Sequence, residues 1–415
     1  MDLLKRVITA YQVPPLPQAQ RDNSLDWLRV IAFGILIFYH IGMLYSVNWS
    51  FHIKSQYQTA WVEGLMLLVN PWRMPLLWLI SGVATRFFLS KLTNSEFIWQ
   101  RSVRLLLPLL VGILLIVPPQ LYCEMRYLGE TDIGFWQFMR RFYLPEQALF
   151  AQHQAGIWPH IDVNHLWYLR ELWQLTLGLL LIIPLLHAPL TERIILRLLQ
   201  RPLWQVLGLF ALPSFMISVL FSETRIAQGG YFLLLGYLLL WRAEFWQRLL
   251  STTQQLLWLA SASAIFLVLL YQLWWQHQPT EPVGLVFGAG YFALHQVLCL
   301  CAILALAKRY LTRANRWLKY LAEAVYPCYL LHQTFLIVIC FALTPYQLGP
   351  LGEPLLVVGG TIVGCLVGFE SIRRINWLRP LFGLRNQRIL TSWLQRGLQL
   401  ATALVLIPFA LEILF

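Results

Sequence analysis

The chain has 415 residues, of which 58% are hydrophobic and only 12% are charged. A water-soluble protein of this length needs more charge on its surface, so the composition excludes an ordinary globular protein and predicts an all-α, polytopic transmembrane helical bundle. The net charge of +12 would indicate nucleic-acid binding only if the basic residues formed a patch, whereas they are sorted by membrane side.

About eleven apolar windows are long enough to cross a bilayer, which takes roughly 20 helical residues. They lie near residues 27–47, 62–85, 103–121, 165–187, 202–221, 226–242, 253–274, 284–307, 321–344, 354–370 and 391–413. We predict a cytoplasmic N-terminal segment over 1–26, a main transmembrane domain over 27–390 and an additional C-terminal transmembrane helix within 391–415. The first window lacks a small-residue cleavage site, so we interpret it as a retained helix and not as a signal peptide.

The charge pattern predicts the orientation of these spans. With the N-terminus in the cytoplasm, most basic residues outside the spans fall on the cytoplasmic side, and the opposite side keeps only Lys54, Arg126, Arg140, Arg141 and Arg225. By the positive-inside rule this predicts a multi-pass protein with a cytoplasmic N-terminus. We expect it in the inner (cytoplasmic) membrane. The one long outer segment, about 122–164, is rich in aromatic residues and is expected to cover a binding mouth.

The ionisable side chains of His40, Arg73, Arg170, Glu171 and His332 lie well inside predicted spans. Such groups are costly at membrane depth, so a functional role is the default expectation. Counting inward at about 1.5 Å per residue places all five in the central or outer-central third of the bilayer. Four helices therefore deliver polar groups to one depth. Glu171 and Arg73 could instead form a structural ion pair.

The first span carries Arg29 and His40, eleven residues apart. This separation is three helical turns plus about 20°, so both side chains share one face. A desolvated imidazole is expected to be neutral and can then accept a proton from a hydroxyl. The alternative for His40 is a packing or hydrogen-bonding role. The same alternative holds for His332, because Glu323 lies about 180° away from it on an ideal helix and only a kink at Pro327 would let both serve one site.

The fourth span opens at the outer interface with His165, Trp167 and Tyr168, in the stretch "NHLWYLREL". Aromatic residues are typical membrane anchors at this depth, but these side chains could also line the approach of a substrate. His153, His160 and His165 imitate a zinc cluster in their spacing, yet no cysteine or carboxylate completes it, and we expect no metal.

The cytoplasmic loop before the third span contains Arg86, Arg101 and Arg104. Arg101 and Arg104 lie at positions i and i+3 of a helix start and could hold phosphate oxygens through bidentate hydrogen bonds. The positive-inside rule explains the same arginines without any ligand.

Several stretches, in this order and spacing, resemble acyltransferase family 3 of membrane proteins: "LDWLRVIAFGILIFYH", "LISGVATRFF", "RSVR", "HLWYL", "FLLLGYLL" and "YLLHQ". The resemblance runs from about residue 24 to residue 385. The stretches "NPWRMPLLWLISGVATRFFL" and "INWLRPLFGLR" are most similar to the glucan biosynthesis protein C branch, which modifies periplasmic glucans with succinyl groups. The family core has ten helices, so the eleventh predicted helix is a departure from it.

This resemblance implies an acyl-coenzyme A donor on the cytoplasmic side and a carbohydrate acceptor. It implies an acyltransferase that moves a succinyl or acetyl group, with acyl-CoA as co-substrate and no permanently bound cofactor. The expected catalytic residues are His40 and Arg29, and the expected acyl-CoA ligands are Arg101, Arg104 and Arg86. The expected substrate contacts are His165, Trp167, Tyr168, Glu171, Arg73, His332 and Tyr329.

The sequence leaves open the role of His40 in the reaction and the functional class of the protein. His40 could act as a general base on the sugar hydroxyl, or it could carry a short-lived acyl group itself. A secondary transporter that moves an anion past Arg73 and Arg170 is the alternative from another functional class. No internal repeat is visible, which argues against that alternative.

Overall fold

The computed structural model describes residues 11–16, 22–144, 148–153, 160–275, 281–386, 396–397 and 400–401. Within these residues the chain is helical and contains no β-strand, which confirms the all-α class. In chain order the α-helices are α1 (Asn23–Tyr45), α2 (Trp61–Leu67), α3 (Asn70–Leu89), α4 (Asn94–Val111), α5 (Pro118–Tyr127), α6 (Phe135–Phe142), α7 (Trp167–Leu186), α8 (Pro189–Leu199), α9 (Leu203–Leu220), α10 (Arg225–Leu239), α11 (Ala243–Ser251), α12 (Thr253–Leu273), α13 (Pro282–Tyr310), α14 (Arg316–Leu343), α15 (Gly349–Arg374) and α16 (Leu378–Leu381).

Eight helical segments in the described part of the chain are long and apolar enough to cross a membrane, so the protein is a multi-pass membrane protein. They are Asn23–Tyr45, Asn94–Tyr127, Asn164–Leu186, Leu203–Leu220, Thr253–Leu273, Pro282–Tyr310, Arg316–Leu343 and Gly349–Arg374. Each coincides with one of the predicted windows.

The other three predicted windows have different outcomes. The window 62–85 is divided between α2 and α3, because a new helix starts ahead of Pro71, which occupies the first turn of α3. The window 226–242 becomes the 15-residue helix α10. The window 391–413 lies almost entirely outside the described residues, as does most of the N-terminal segment.

The chain forms two compact units, the first comprising Met1–Ile35, Gly64–Phe97 and Gln174–Leu318. Within this unit, α3 and α10 approach until their backbones touch. A Cβ atom added at Gly82 would lie 2.0 Å from the Leu233 carbonyl oxygen, and one at Gly236 would lie 2.0 Å from the Leu79 carbonyl oxygen. The glycines of the "LISGVATRFF" and "FLLLGYLL" stretches thus allow the close helix contact that is common in membrane proteins.

The second unit comprises Leu36–Glu63, Ile98–Trp173 and Lys319–Phe415. Its core joins α1, α5, α14 and α15 through buried side chains that include Ile41, Leu44, Cys123, Ile337 and Val357. A second apolar cluster packs α6 against α5. This unit contains the histidines that the sequence places at membrane depth.

A π-helical turn, Gly112–Ile116, separates α4 from α5. The absence of a side chain at Gly112 admits Leu166, whose Cδ1 would lie 2.1 Å from an added Cβ. A π turn leaves carbonyl groups outside the regular helical ladder, and here the Thr334 hydroxyl donates to the Ile116 carbonyl at 2.6 Å. The irregular turn therefore ties α14 to the segment that precedes α7.

The connection between α1 and α2, residues 46–60, is held in place by hydrogen bonds within the second unit. The Lys54 ammonium donates to the carbonyl oxygens of Met43 and Ser46 at 2.7 and 2.8 Å. Burial lowers the pKa of Lys54 from its ordinary value. The Ser55 hydroxyl donates to the buried carboxylate of Glu353 at 2.5 Å. These bonds hold the connection over the end of α1.

Candidate active site

The second unit brings His40 of α1 into contact with His332 of α14. Nδ1 of His40 lies 2.8 Å from Nε2 of His332, and the two rings stack with centroids 5.1 Å apart and planes 6° apart. His332 is fully buried, whereas His40 is half-buried. Two histidines that are 292 positions apart in the sequence therefore form one unit.

The hydrogen-bond partners assign the protons of this pair. Nδ1 of His332 lies 2.7 Å from the Tyr329 carbonyl oxygen, which can only accept, so Nδ1 carries the proton. In a neutral His332 ring, Nε2 is then an acceptor, and Nδ1 of His40 must donate to it. The neutral His40 ring consequently carries its lone pair on Nε2. An imidazole held in this tautomer can act as a base.

Glu323 does not share this site with His332. Its carboxylate accepts from Arg379 at 2.8 Å and lies 3.7 Å from Arg373, in an ion cluster at the other end of α14. The two residues therefore serve different purposes, as their opposite positions on an ideal helix indicate.

His165 and Tyr329, both predicted substrate contacts, lie beside the histidine pair. The His165 ring stands at 88° to the His332 ring with centroids 5.4 Å apart, and the Tyr329 hydroxyl donates to the His165 carbonyl at 2.7 Å. Nε2 of His165 donates to the Leu330 carbonyl at 3.1 Å. Its Nδ1 is buried and has no hydrogen-bond partner among the described residues.

The predicted phosphate-binding arginines lie on α4 in the same unit. Arg104 is exposed and Arg101 is half-buried. The Tyr326 hydroxyl donates to the Arg104 carbonyl at 3.0 Å. Tyr326 and His332 both belong to α14, and their six-residue separation corresponds to about 9 Å along the axis.

Trp167 and Glu171 are also in this unit. Trp167 packs edge-on against Tyr168, with ring centroids 6.2 Å apart. Glu171 is 2% exposed, so its carboxylate belongs to the protein interior.

The remaining predicted site residues belong to the first unit. Arg29 lies in α1 and forms an ion pair with Asp26 at 3.5 Å. Arg73 contacts the side chain of Asn70 at 3.4 Å. Arg86 is only 2% exposed, and its guanidinium donates to the Pro14 carbonyl at 2.9 Å.

The three histidines whose spacing imitates a zinc cluster have separate partners. His153 contacts Glu130 at 2.7 Å, and His160 donates to the Phe142 carbonyl at 2.8 Å while stacking on Phe150. His165 contacts His332 instead.

Sequence reasoning missed a polar network next to His332. His52 contacts Glu124 at 2.6 Å through Nδ1, and its Nε2 lies 3.2 Å from the side-chain nitrogen of Gln333. That nitrogen also lies 3.2 Å from Oε1 of Gln120 and 3.0 Å from Oδ1 of Asn164. Two short-range signals were present, because Gln333 follows His332 in "YLLHQ" and Asn164 precedes His165 in "NHLWYL".

Asn164 has a positive φ of 46° at the start of the 3-10 turn Asn164–Leu166. Asparagine tolerates this left-handed conformation better than most residues, and strained backbone is common at functional sites. The conformation places its amide in the network, where Nδ2 donates to Oε1 of Gln120 at 3.1 Å.

Comparison with models of protein families identifies a match. The Acyl_transf_3 family model, described as an acyltransferase domain, matches residues 22–370. No curated protein and no solved structure matches the chain.

Proposed function

We propose, since the chain belongs to acyltransferase family 3, that it moves an acyl group from cytoplasmic acyl-CoA to a hydroxyl group of an extracytoplasmic carbohydrate. His40 is the general base in this proposal. The observation that carries it is the chain of hydrogen bonds from the Tyr329 carbonyl through His332 to Nδ1 of His40, which leaves the lone pair of His40 on Nε2.

The proton of the sugar hydroxyl passes to His40 and then to the thiolate, so His40 ends the reaction in its neutral form. Nε2 of His40 accepts the proton of the sugar hydroxyl while the hydroxyl oxygen attacks the thioester carbonyl carbon. A carbon–oxygen bond forms, the carbon–sulfur bond breaks, and the imidazolium returns the proton to the departing thiolate. The products are an acyl ester and free coenzyme A. His332 positions the ring and stabilises the charge that His40 gains.

Arg101 and Arg104 are the proposed ligands of the coenzyme A phosphates. Their position on α4, with one side chain exposed and one half-buried, suits an anion that arrives from the aqueous side. From there α14 extends past Tyr326 and Tyr329 to His332, so a thioester arm can follow one helix to the base.

Arg29 remains a proposed catalytic residue together with His40. It lies in the same helix, eleven residues before His40, near the end of α1 that the positive-inside rule assigns to the cytoplasm. Arg86 is left out of the donor site, because its guanidinium is buried against Pro14 and the rings of Tyr237 and Trp241. A phosphate could not reach it without displacing these groups.

The proposal is tested by incubating purified protein with acyl-CoA that is labelled in its acyl group. We expect His40→Ala to lower acyl transfer by about 10²-fold or more, the usual effect of removing a general base, with little change in acyl-CoA binding. His187→Ala is a matched control, since His187 contacts Tyr237 in the first unit at 2.8 Å. Retained turnover in His40→Ala would remove this ring from the chemistry, and a protein that consumes no thioester would favour transport.

The acyl group and the acceptor are proposed from the resemblance to the glucan biosynthesis protein C branch. A succinyl group on a periplasmic glucan is the first choice, and an acetyl group is the second. Mass analysis of envelope glycans from cells with and without the gene would identify the group that is added.

A further inference from the structure

The network beside His332 contains an imidazole–carboxylate pair that the proposed chemistry does not use. Nδ1 of His52 donates to Oε2 of Glu124 at 2.6 Å, so the carboxylate fixes the orientation of the ring. The side chains are 22% and 23% exposed, which makes both reachable from outside the protein interior. Among the described residues no donor reaches Oε1 of Glu124, so one carboxylate oxygen is available to a ligand.

The amide of Gln333 is the donor that reaches Nε2 of His52. The side-chain nitrogen of Gln333 lies within 3.2 Å of three acceptors, Nε2 of His52, Oε1 of Gln120 and Oδ1 of Asn164. An amide nitrogen has two hydrogens, and Oε1 of Gln120 also accepts from Nδ2 of Asn164 at 3.1 Å, so the two Gln333 hydrogens serve His52 and Asn164. His52 is half-buried, and a ligand hydroxyl that donates to its Nε2 would replace the 3.2 Å bond from Gln333.

The pair lies next to the proposed base. His332 and Gln333 are consecutive residues of α14; the first contacts His40 and the second contacts His52. The Phe51 ring touches both imidazoles, with centroids 6.3 Å from His40 and 5.1 Å from His52. One aromatic ring therefore separates the two histidines.

We propose that His52 and Glu124 form a second hydroxyl-binding subsite, which holds a hydroxyl neighbouring the one that His40 deprotonates. An imidazole nitrogen, a carboxylate oxygen and an apolar ring face are the groups that bind sugar units, because a sugar offers adjacent hydroxyls and C–H faces. The subsite selects a polyhydroxylated acceptor over water or an alcohol with one hydroxyl. This inference rests on the proposed acyl transfer and adds the basis of acceptor selection to it.

The test compares two acceptors with the purified full chain and the acyl-CoA that it consumes. A glucose oligosaccharide offers neighbouring hydroxyls, and ethanol offers one. We expect Glu124→Gln and His52→Gln to raise KM for the oligosaccharide about 10-fold or more, as expected for loss of a hydrogen bond to a charged or buried group. The preference for the oligosaccharide over ethanol should fall by the same factor.

The chain provides a matched control in His153 and Glu130, which form a second imidazole–carboxylate pair at 2.7 Å with side chains 20% and 24% exposed. Glu130→Gln should leave KM for both acceptors as in the wild type. If both variants of the subsite keep the wild-type KM, or if they lose transfer to the two acceptors equally, the subsite is wrong. Failure of the proposed function has a different signature, since the wild type would then consume no thioester or His40→Ala would be fully active.

Discussion

At the scale of single residues, the proposed role of His40 as a base depends on its contact with His332. His332 is fully buried, and its Nδ1 is committed to the Tyr329 carbonyl at 2.7 Å. Its Nε2 can therefore only accept, which directs the proton of His40 to Nδ1. Without this acceptor, the His40 ring could place its proton on either nitrogen and would rotate more freely.

We expect His332→Leu to lower kcat by about 10²-fold with little change in KM for acyl-CoA, because the base is mispositioned while the donor site on α4 is intact. His332→Gln should recover part of the lost rate, since a glutamine oxygen can accept from Nδ1 of His40. Steady-state kinetics of the two variants would check this. Equal losses in His332→Leu and His332→Gln would indicate a packing role, and His332 would then not position the base.

Depth counting along the sequence predicts that His40 and His332 reach the same level of the bilayer, and the structure places the rings in contact. Depth counting could not predict that His52 pairs with Glu124 beside this site. His52 lies in the connection 46–60, outside every apolar window, and its partners Glu124 and Gln333 are 72 and 281 positions away. Contacts between a connecting segment and distant helices are decided by tertiary packing, which leaves no period in the sequence.

At the scale of helices, periodicity and length predict eight spans correctly because long apolar runs have few alternatives in a membrane protein. They fail at residues 62–85, where the apolar run continues through a helix boundary. The Asn70–Pro71 dipeptide marks that boundary, since a proline has no N–H to donate and is favoured in the first turn of a helix. The π turn Gly112–Ile116 precedes Pro118 and Pro119, which lack the N–H groups that a regular α-helix would need there.

The contact between α3 and α10 yields a stability prediction. We expect Gly82→Ala and Gly236→Ala each to cost about 1–3 kcal/mol, because the added Cβ would lie 2.0 Å from a backbone oxygen that cannot move aside without separating the helices. Thermal unfolding in detergent, followed by tryptophan fluorescence, would measure the loss as a lower Tm. Gly208→Ala is the matched control, since an added Cβ there meets nothing within 4 Å. Wild-type Tm values for both α3 and α10 variants would contradict the close contact.

At the scale of the whole molecule, the proposed reaction requires two substrates that exist on opposite sides of a membrane. Acyl-CoA is a cytoplasmic metabolite, and the proposed carbohydrate lies outside. The family and the eight long apolar helices agree with a membrane acyltransferase. The side on which each end of the site opens follows only from the distribution of lysine and arginine, and it is the premise on which the assignment of Arg101 and Arg104 to the donor depends.

Labelling of single cysteines tests this premise. Gln58 lies in the connection 46–60 and Gln200 lies between α8 and α9, and both are exposed. A membrane-impermeant maleimide added to spheroplasts should label Gln58→Cys directly and Gln200→Cys only after the membrane is opened, because the positive-inside rule places the basic segment around Arg197 and Arg201 in the cytoplasm. Background labelling should be low, since five native cysteines are buried and Cys328 is half-buried. The reverse pattern would put the arginines of α4 on the side without acyl-CoA, and a cytoplasmic thioester could not then reach His40 by the proposed route.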